Sequence, residues 1–104
     1  MSQENQNSNQ LNIELSEDVA EGTYSNLAII SHNQSEFVVD FIRMVPNVPK
    51  AKVKSRIILT PQHAKRLLHA LAENVKKYEA QFGNIEHQQE QPYPPINFTP
   101  TAMA

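Results

Sequence analysis

The chain contains no cysteine, no tryptophan and only two glycines, Gly22 and Gly83, in 104 residues. Without cysteine there is no disulfide framework, no Cys-ligated zinc, no thiol nucleophile and no iron–sulfur centre. With two distant glycines, neither G-x-G-x-x-G nor a Walker-type phosphate loop can be written. Apolar runs reach four residues at most, as in Leu27-Ala28-Ile29-Ile30, where a membrane span needs about 20. The opening Met1-Ser2-Gln3-Glu4-Asn5-Gln6 has neither the basic nor the apolar stretch of an export signal, which points to a cytoplasmic protein without membrane contact.

What is present divides into a polar start, a folding unit and a polar end. Residues 1–10 are Gln, Asn, Ser and Glu after Met1, and residues 84–104 hold four of the seven prolines, Pro92, Pro94, Pro95 and Pro100. Both tails are too polar to bury a core and are expected to be disordered. Residues 11–83 remain as one domain. A unit of that size buries only about 60% of its unfolded surface, so self-association or a partner is the natural remedy.

The clearest element is a helix over residues 61–82. Thr60 suits the N-cap, Pro61 the first helical position and Gly83 the left-handed residue past the end. Ala64, Leu68, Leu71, Val75, Tyr78 and Phe82 step by four and three in turn, with Leu67 widening the stripe. That is heptad spacing. A helix of roughly 33 Å outruns strands of about 17–20 Å, so Val75, Tyr78 and Phe82 are expected at a subunit interface.

Three β-rich runs precede it, at residues 23–31, 36–45 and 50–59, separated by His32-Asn33-Gln34-Ser35 and Pro46-Asn47-Val48-Pro49. The alternating Leu11-Asn12-Ile13-Glu14-Leu15 is a candidate fourth strand, and Ser16 to Gly22 reads as one capped helical turn. The fold expected is α+β: an antiparallel meander of three to four strands, then one long helix packed on one face. In the second hairpin, partners whose numbers sum to 96 set Phe37, Val39, Phe41 and Val45 with Leu59, Ile57, Ser55 and Ala51, and Asp40 opposite Arg56. The other face then carries Val38, Ile42, Met44 and Ile58 among lysines. That mixture suggests a contact surface, with Ile42 and Met44 in it.

Charge is unevenly placed. Residues 1–42 hold seven acids and no Lys or Arg, residues 43–77 hold all nine bases and one acid, and residues 78–104 hold three acids. Lys50, Lys52, Lys54 and Arg56 alternate along one strand at about 6.6 Å, a spacing close to that of single-strand phosphates, with Lys65 following on the helix. These five form a candidate anion or nucleic-acid surface. The competing reading is neutralisation within the fold by Glu36, Asp40 and the acidic N-terminal segment. No aromatic is interleaved with the cations, so a stacking platform for bases is missing.

Catalytic constellations are thin. His63 and His69 are six apart on one helix and cannot share a ligand face, while His32 and His87 fall in a loop and the tail, so no metal site is expected. Glu17 with Glu21, and Glu36 with Asp40, have no pocket implied around them. Ser31 beside His32 is not a nucleophile arrangement. No catalytic residue, cofactor or metal is assigned. Gln91 to Phe98, with Tyr93 and Phe98 as anchors, could serve as a proline-rich docking peptide. The Asn33 and Asn97 sequons are chance matches without an export signal.

Val19-Ala20-Glu21-Gly22-x-Tyr24-Ser25-Asn26-Leu27-Ala28, Ser35 to Phe41, and Leu59-Thr60-Pro61-Gln62-His63-Ala64-Lys65-Arg66-Leu67-Leu68 through Tyr78-Glu79-x-Gln81-Phe82-Gly83 together resemble a family of small bacterial and archaeal proteins known as a domain of unknown function. The resemblance covers about residues 11–85 and implies the boundaries above, but no activity. The order of strands then helix is similar to that of SecB-type export chaperones, an analogy of fold alone. Strand, Leu59-Thr60-Pro61 and helix also resemble half of the ribbon-helix-helix motif, without its second helix. The expectation is a non-enzymatic, homo-oligomeric protein-binding or assembly module. Sequence-independent nucleic-acid binding is the alternative.

Overall fold

The computed structural model describes residues 10–86 and 96–98. Its elements, in chain order, are a short helix α1 (Glu17–Ala20), strands β1 (Leu27–His32), β2 (Phe37–Arg43) and β3 (Lys52–Leu59), and helix α2 (Pro61–Phe82). The chain divides into two compact units, residues 1–64 and 65–104.

In the first unit the three strands form one antiparallel sheet in the order β1-β2-β3, the meander expected from the short connections. The β1–β2 loop is closed by Asn33, whose Oδ1 accepts from the backbone N–H groups of Ser35 and Glu36 at 2.8 and 2.9 Å. This side-chain mimicry of a turn is why asparagine starts the loop. His32 and Phe37, paired across it, stack with ring centroids 5.2 Å apart. Between β2 and β3, the Val48 N–H donates to the Val45 carbonyl at 3.2 Å, and Asn47 takes φ +67°. Proline then a left-handed residue is the pattern of a type II turn.

The expected register holds from Phe37↔Leu59 through Phe41↔Ser55, then slips by one, so that Ile42 faces Val53 and Arg43 faces Lys52. The slip is a β-bulge. It overturns two expectations. Val45 and Ala51 lie beyond the paired strands, and Lys52 no longer shares a face with Arg56, because pairing with Arg43 places it on the opposite side. Val39 and Ile42, on opposite faces of the central strand β2, are the buried apolar residues, joined by the buried Asp40.

Leu11 to Leu15, the candidate fourth strand, has no regular structure, and Leu11 is 84% exposed. Alternation alone does not make a strand where no sheet edge receives it. At α1, Ser16 occupies the N-cap in extended conformation without a side-chain capping bond. Gly22 follows with φ +80°.

Helix α2 runs over the residues expected of it. The Thr60 Oγ1 accepts from the His63 N–H at 3.2 Å, and the Thr60 carbonyl accepts from the Ala64 N–H at 2.9 Å. At the other end Gly83, φ +99°, donates its N–H to the Glu79 carbonyl at 3.0 Å, the left-handed cap that stops a helix. The Glu79 carboxylate also accepts from the Ile85 N–H. Tyr78 and Phe82 set their rings 5.0 Å apart, one turn from each other, and no residue of α2 is buried. No helix among the described residues is long and apolar enough to cross a membrane. The tail expectations over residues 1–9, 87–95 and 99–104, including His87 and Tyr93, lie outside the described residues.

Candidate functional site

Among the described residues, the basic segment separates into one neutralised cation and a group without carboxylate partners. Asp40, 2% exposed, receives Arg56 in a two-pronged pairing: Nε to Oδ1 at 2.6 Å and Nη2 to Oδ2 at 2.9 Å. The two side chains stand directly opposite across β2 and β3. Hydrogen bonds from Arg56, reinforced by its charge, hold the Asp40 carboxyl below the usual carboxylate range against burial, which pushes it up; the same contact raises Arg56. Asp40 is therefore a structural anion, not a free acid or base. Among the described residues this is the one ion pair.

Around the bulge the remaining cations gather. Arg43, Lys50, Lys52 and Lys54 line an open hollow of about 240 Å³, with Val45 and Val48 as its apolar wall. Arg43 lies there because the slip in register sets it against Lys52. At the unslipped register it would face Val53, and the lysines would lie on the other face. The strand end is pinned on both sides of Arg43. Asn26 Nδ2 donates to the Met44 carbonyl at 3.0 Å, its Oδ1 accepts from the Met44 N–H at 2.7 Å, and its own N–H donates to the Ile42 carbonyl at 3.0 Å. The Ser25 hydroxyl reaches the Ile42 carbonyl at 3.0 Å. The Arg43 guanidinium itself lies over the Tyr24 ring, 5.5 Å from its centroid, a favourable cation–π placement.

Of the five residues expected in a basic surface, Lys50, Lys52 and Lys54 come together, Arg56 is committed to Asp40, and Lys65 is on α2 in the other unit. Arg43 and Tyr24 were missed. The bulge sets Arg43 against Lys52, and no residue pattern announces it; Tyr24 joins through its contact with Arg43 from the segment before β1. Of the residues expected at an interface, Ile42 is buried and Met44 half-buried, while Val75, Tyr78 and Phe82 are exposed on α2. A second open hollow, lined by Thr23, Ser25, Phe41, Ser55 and Ile57, carries no titratable group. Among the described residues no three His, Asp or Glu side chains cluster as metal ligands.

No curated protein and no solved structure matches the chain at a significant level. A family model does, over residues 1–87, in agreement with the resemblance carried by the Val19–Ala28 and Leu59–Gly83 motifs: the chain belongs to the family described as "Protein of unknown function (DUF3467)".

Proposed function

We propose that the protein is a non-enzymatic assembly module that acts as a homo-oligomer, two copies pairing through the apolar stripe of α2. One observation carries this reading. Leu68, Leu71, Val75, Tyr78 and Phe82 hold heptad spacing along α2, with Leu67 widening the stripe, and all of them are exposed, Phe82 at 66%. A solvated helix gains nothing from such a stripe, whereas a second copy always offers the same stripe in return.

The flanking charges favour an antiparallel pair. With Leu68, Val75 and Phe82 at a and Ala64, Leu71 and Tyr78 at d, Lys65 and Glu79 both fall at e. In an antiparallel pair the e positions of the two helices approach, setting Lys65 beside Glu79 of the second copy at both ends. In a parallel pair they meet Thr60 and Asn74, which carry no charge. The test is sedimentation velocity over a range of concentrations, on the wild type, Lys65→Glu and the double variant Lys65→Glu/Glu79→Lys. Dimerisation weakened a few-fold by the single change and restored by the double one supports the reading. A monomer at all micromolar concentrations overturns it.

A further inference from the structure

We propose that the hollow bounded by Arg43, Lys50, Lys52 and Lys54 binds the backbone of a single-stranded nucleic acid, with Tyr24 as the platform for one base. All of these residues belong to the first unit of one chain, so the proposal does not depend on self-association.

The first argument is electrostatic. Like charges set directly opposite across two strands destabilise a sheet. Arg43 opposite Lys52 is such a pair, with Lys50 and Lys54 beside it and no ion pair to any of the four among the described residues. The same sheet neutralises Arg56 with Asp40 two strand positions away from Lys54. Carboxylate pairing is therefore available to this fold and is not used at the hollow. A polyanion relieves the repulsion that the sequence leaves in place.

The second argument is shape. The hollow is open rather than enclosed, so it suits a chain passing across it more than a small molecule swallowed by it. Three lysines between residues 50 and 54, with Arg43 opposite Lys52 across the bulge, set four cations along the one open hollow. Val45 and Val48 offer an apolar wall to the sugars.

The third is Tyr24. It is 67% exposed, and its ring lies against the Arg43 guanidinium, which pins the ring's position from one side. An exposed aromatic beside a phosphate-binding groove is what unpaired bases stack on, whereas a duplex hides its base faces. An acidic peptide would use the cations but not the ring.

The test is fluorescence anisotropy of a labelled oligothymidylate with the full chain. Four phosphate contacts to a single strand give a log–log salt slope of about −3, a loss of affinity of about 50-fold between 50 and 200 mM salt. Lys52→Ala/Lys54→Ala, whose surface changes leave the core untouched, should bring the slope to about −1.4. Tyr24→Leu should weaken binding about fivefold or more at an unchanged slope, and Tyr24→Phe should restore it, since a ring stacks with or without its hydroxyl. Absence of binding at low salt and micromolar protein overturns the proposal. So does a slope unchanged in the double variant. Equal competition by polyglutamate or by a DNA duplex overturns the single-strand assignment and points to a peptide or duplex surface instead.

Discussion

Truncating Leu71 isolates the contribution of the α2 stripe. Leu71 sits at its centre and is 59% exposed, so replacing it with alanine removes little packing within one chain. Alanine is also the best helix former, which leaves α2 intact. Burying a whole leucine side chain is worth about 1.5–3 kcal/mol, so covering the exposed part of Leu71 at an interface is worth about 1–2 kcal/mol. Two-fold symmetry counts the residue twice, and alanine keeps Cβ, which leaves a loss of about 2–3 kcal/mol per dimer. That corresponds to a dissociation constant raised about 30- to 150-fold. Sedimentation equilibrium on the wild type, Leu71→Ala and, as a control off the stripe, Glu73→Ala measures it directly. The melting temperature offers a second readout, because a dimer melts higher as its concentration rises, and Leu71→Ala should flatten that dependence. Equal association of the wild type and Leu71→Ala would refute the stripe as the interface, whatever the oligomeric state.

Three further outcomes test the sheet. Asp40→Asn should destabilise the protein at neutral pH and remove part of its acid sensitivity. The Asp40 carboxyl is held below its unfolded value by Arg56, so its contribution is present above about pH 4 and is lost as pH falls through the lowered folded value. Urea midpoints of wild type and variant should therefore converge on going from pH 6 toward pH 3, and a constant gap would count against the pairing. Ile42→Ala empties a large part of a very small core and should cost about 2–4 kcal/mol in urea unfolding, against near zero for a solvated residue. Asn47→Ala should cost about 1 kcal/mol through its left-handed φ, while Asn47→Gly should be neutral or better, both read from thermal melts.

How much of this could be read from the residues depends on how local the deciding interaction is. Helix α2 is marked at both ends by residues whose effect reaches four positions or fewer, Thr60 and Pro61 at the start and Gly83 at the stop, and its limits were legible. The same is true of the β2–β3 register from Phe37 to Phe41, since a one-residue slip there would mix aromatics with lysines on one face. Beyond Phe41 the pattern weakens. Ile42, Arg43, Lys52 and Val53 satisfy either register about equally by hydropathy, and the slip that the structure adopts leaves no mark in composition. Leu11 to Leu15 failed for the opposite reason: its alternation is clean, but a strand is completed by a neighbour that no local pattern supplies.

The bulge therefore decides what kind of surface the protein presents. With the unslipped register, Arg43 would face Val53, and Lys52, Lys54 and Arg56 would share the face of Asp40, where one buried carboxylate could temper them all. With the slip, Lys52 crosses to the face of Arg43, and Asp40 is paired with Arg56. The slip gives the buried Ile42 an apolar partner in Val53 in place of Lys54, and it sets Arg43 opposite Lys52 at an electrostatic cost. Asn26 adds three hydrogen bonds around that strand end, at Ile42 and Met44, which fix the end of β2 against the start of β1. The near-zero net charge of the chain conceals this, because the acids that balance the sum make no ion pair with these four cations among the described residues. The repulsion that remains between Arg43 and Lys52 is what the proposed polyanion would relieve.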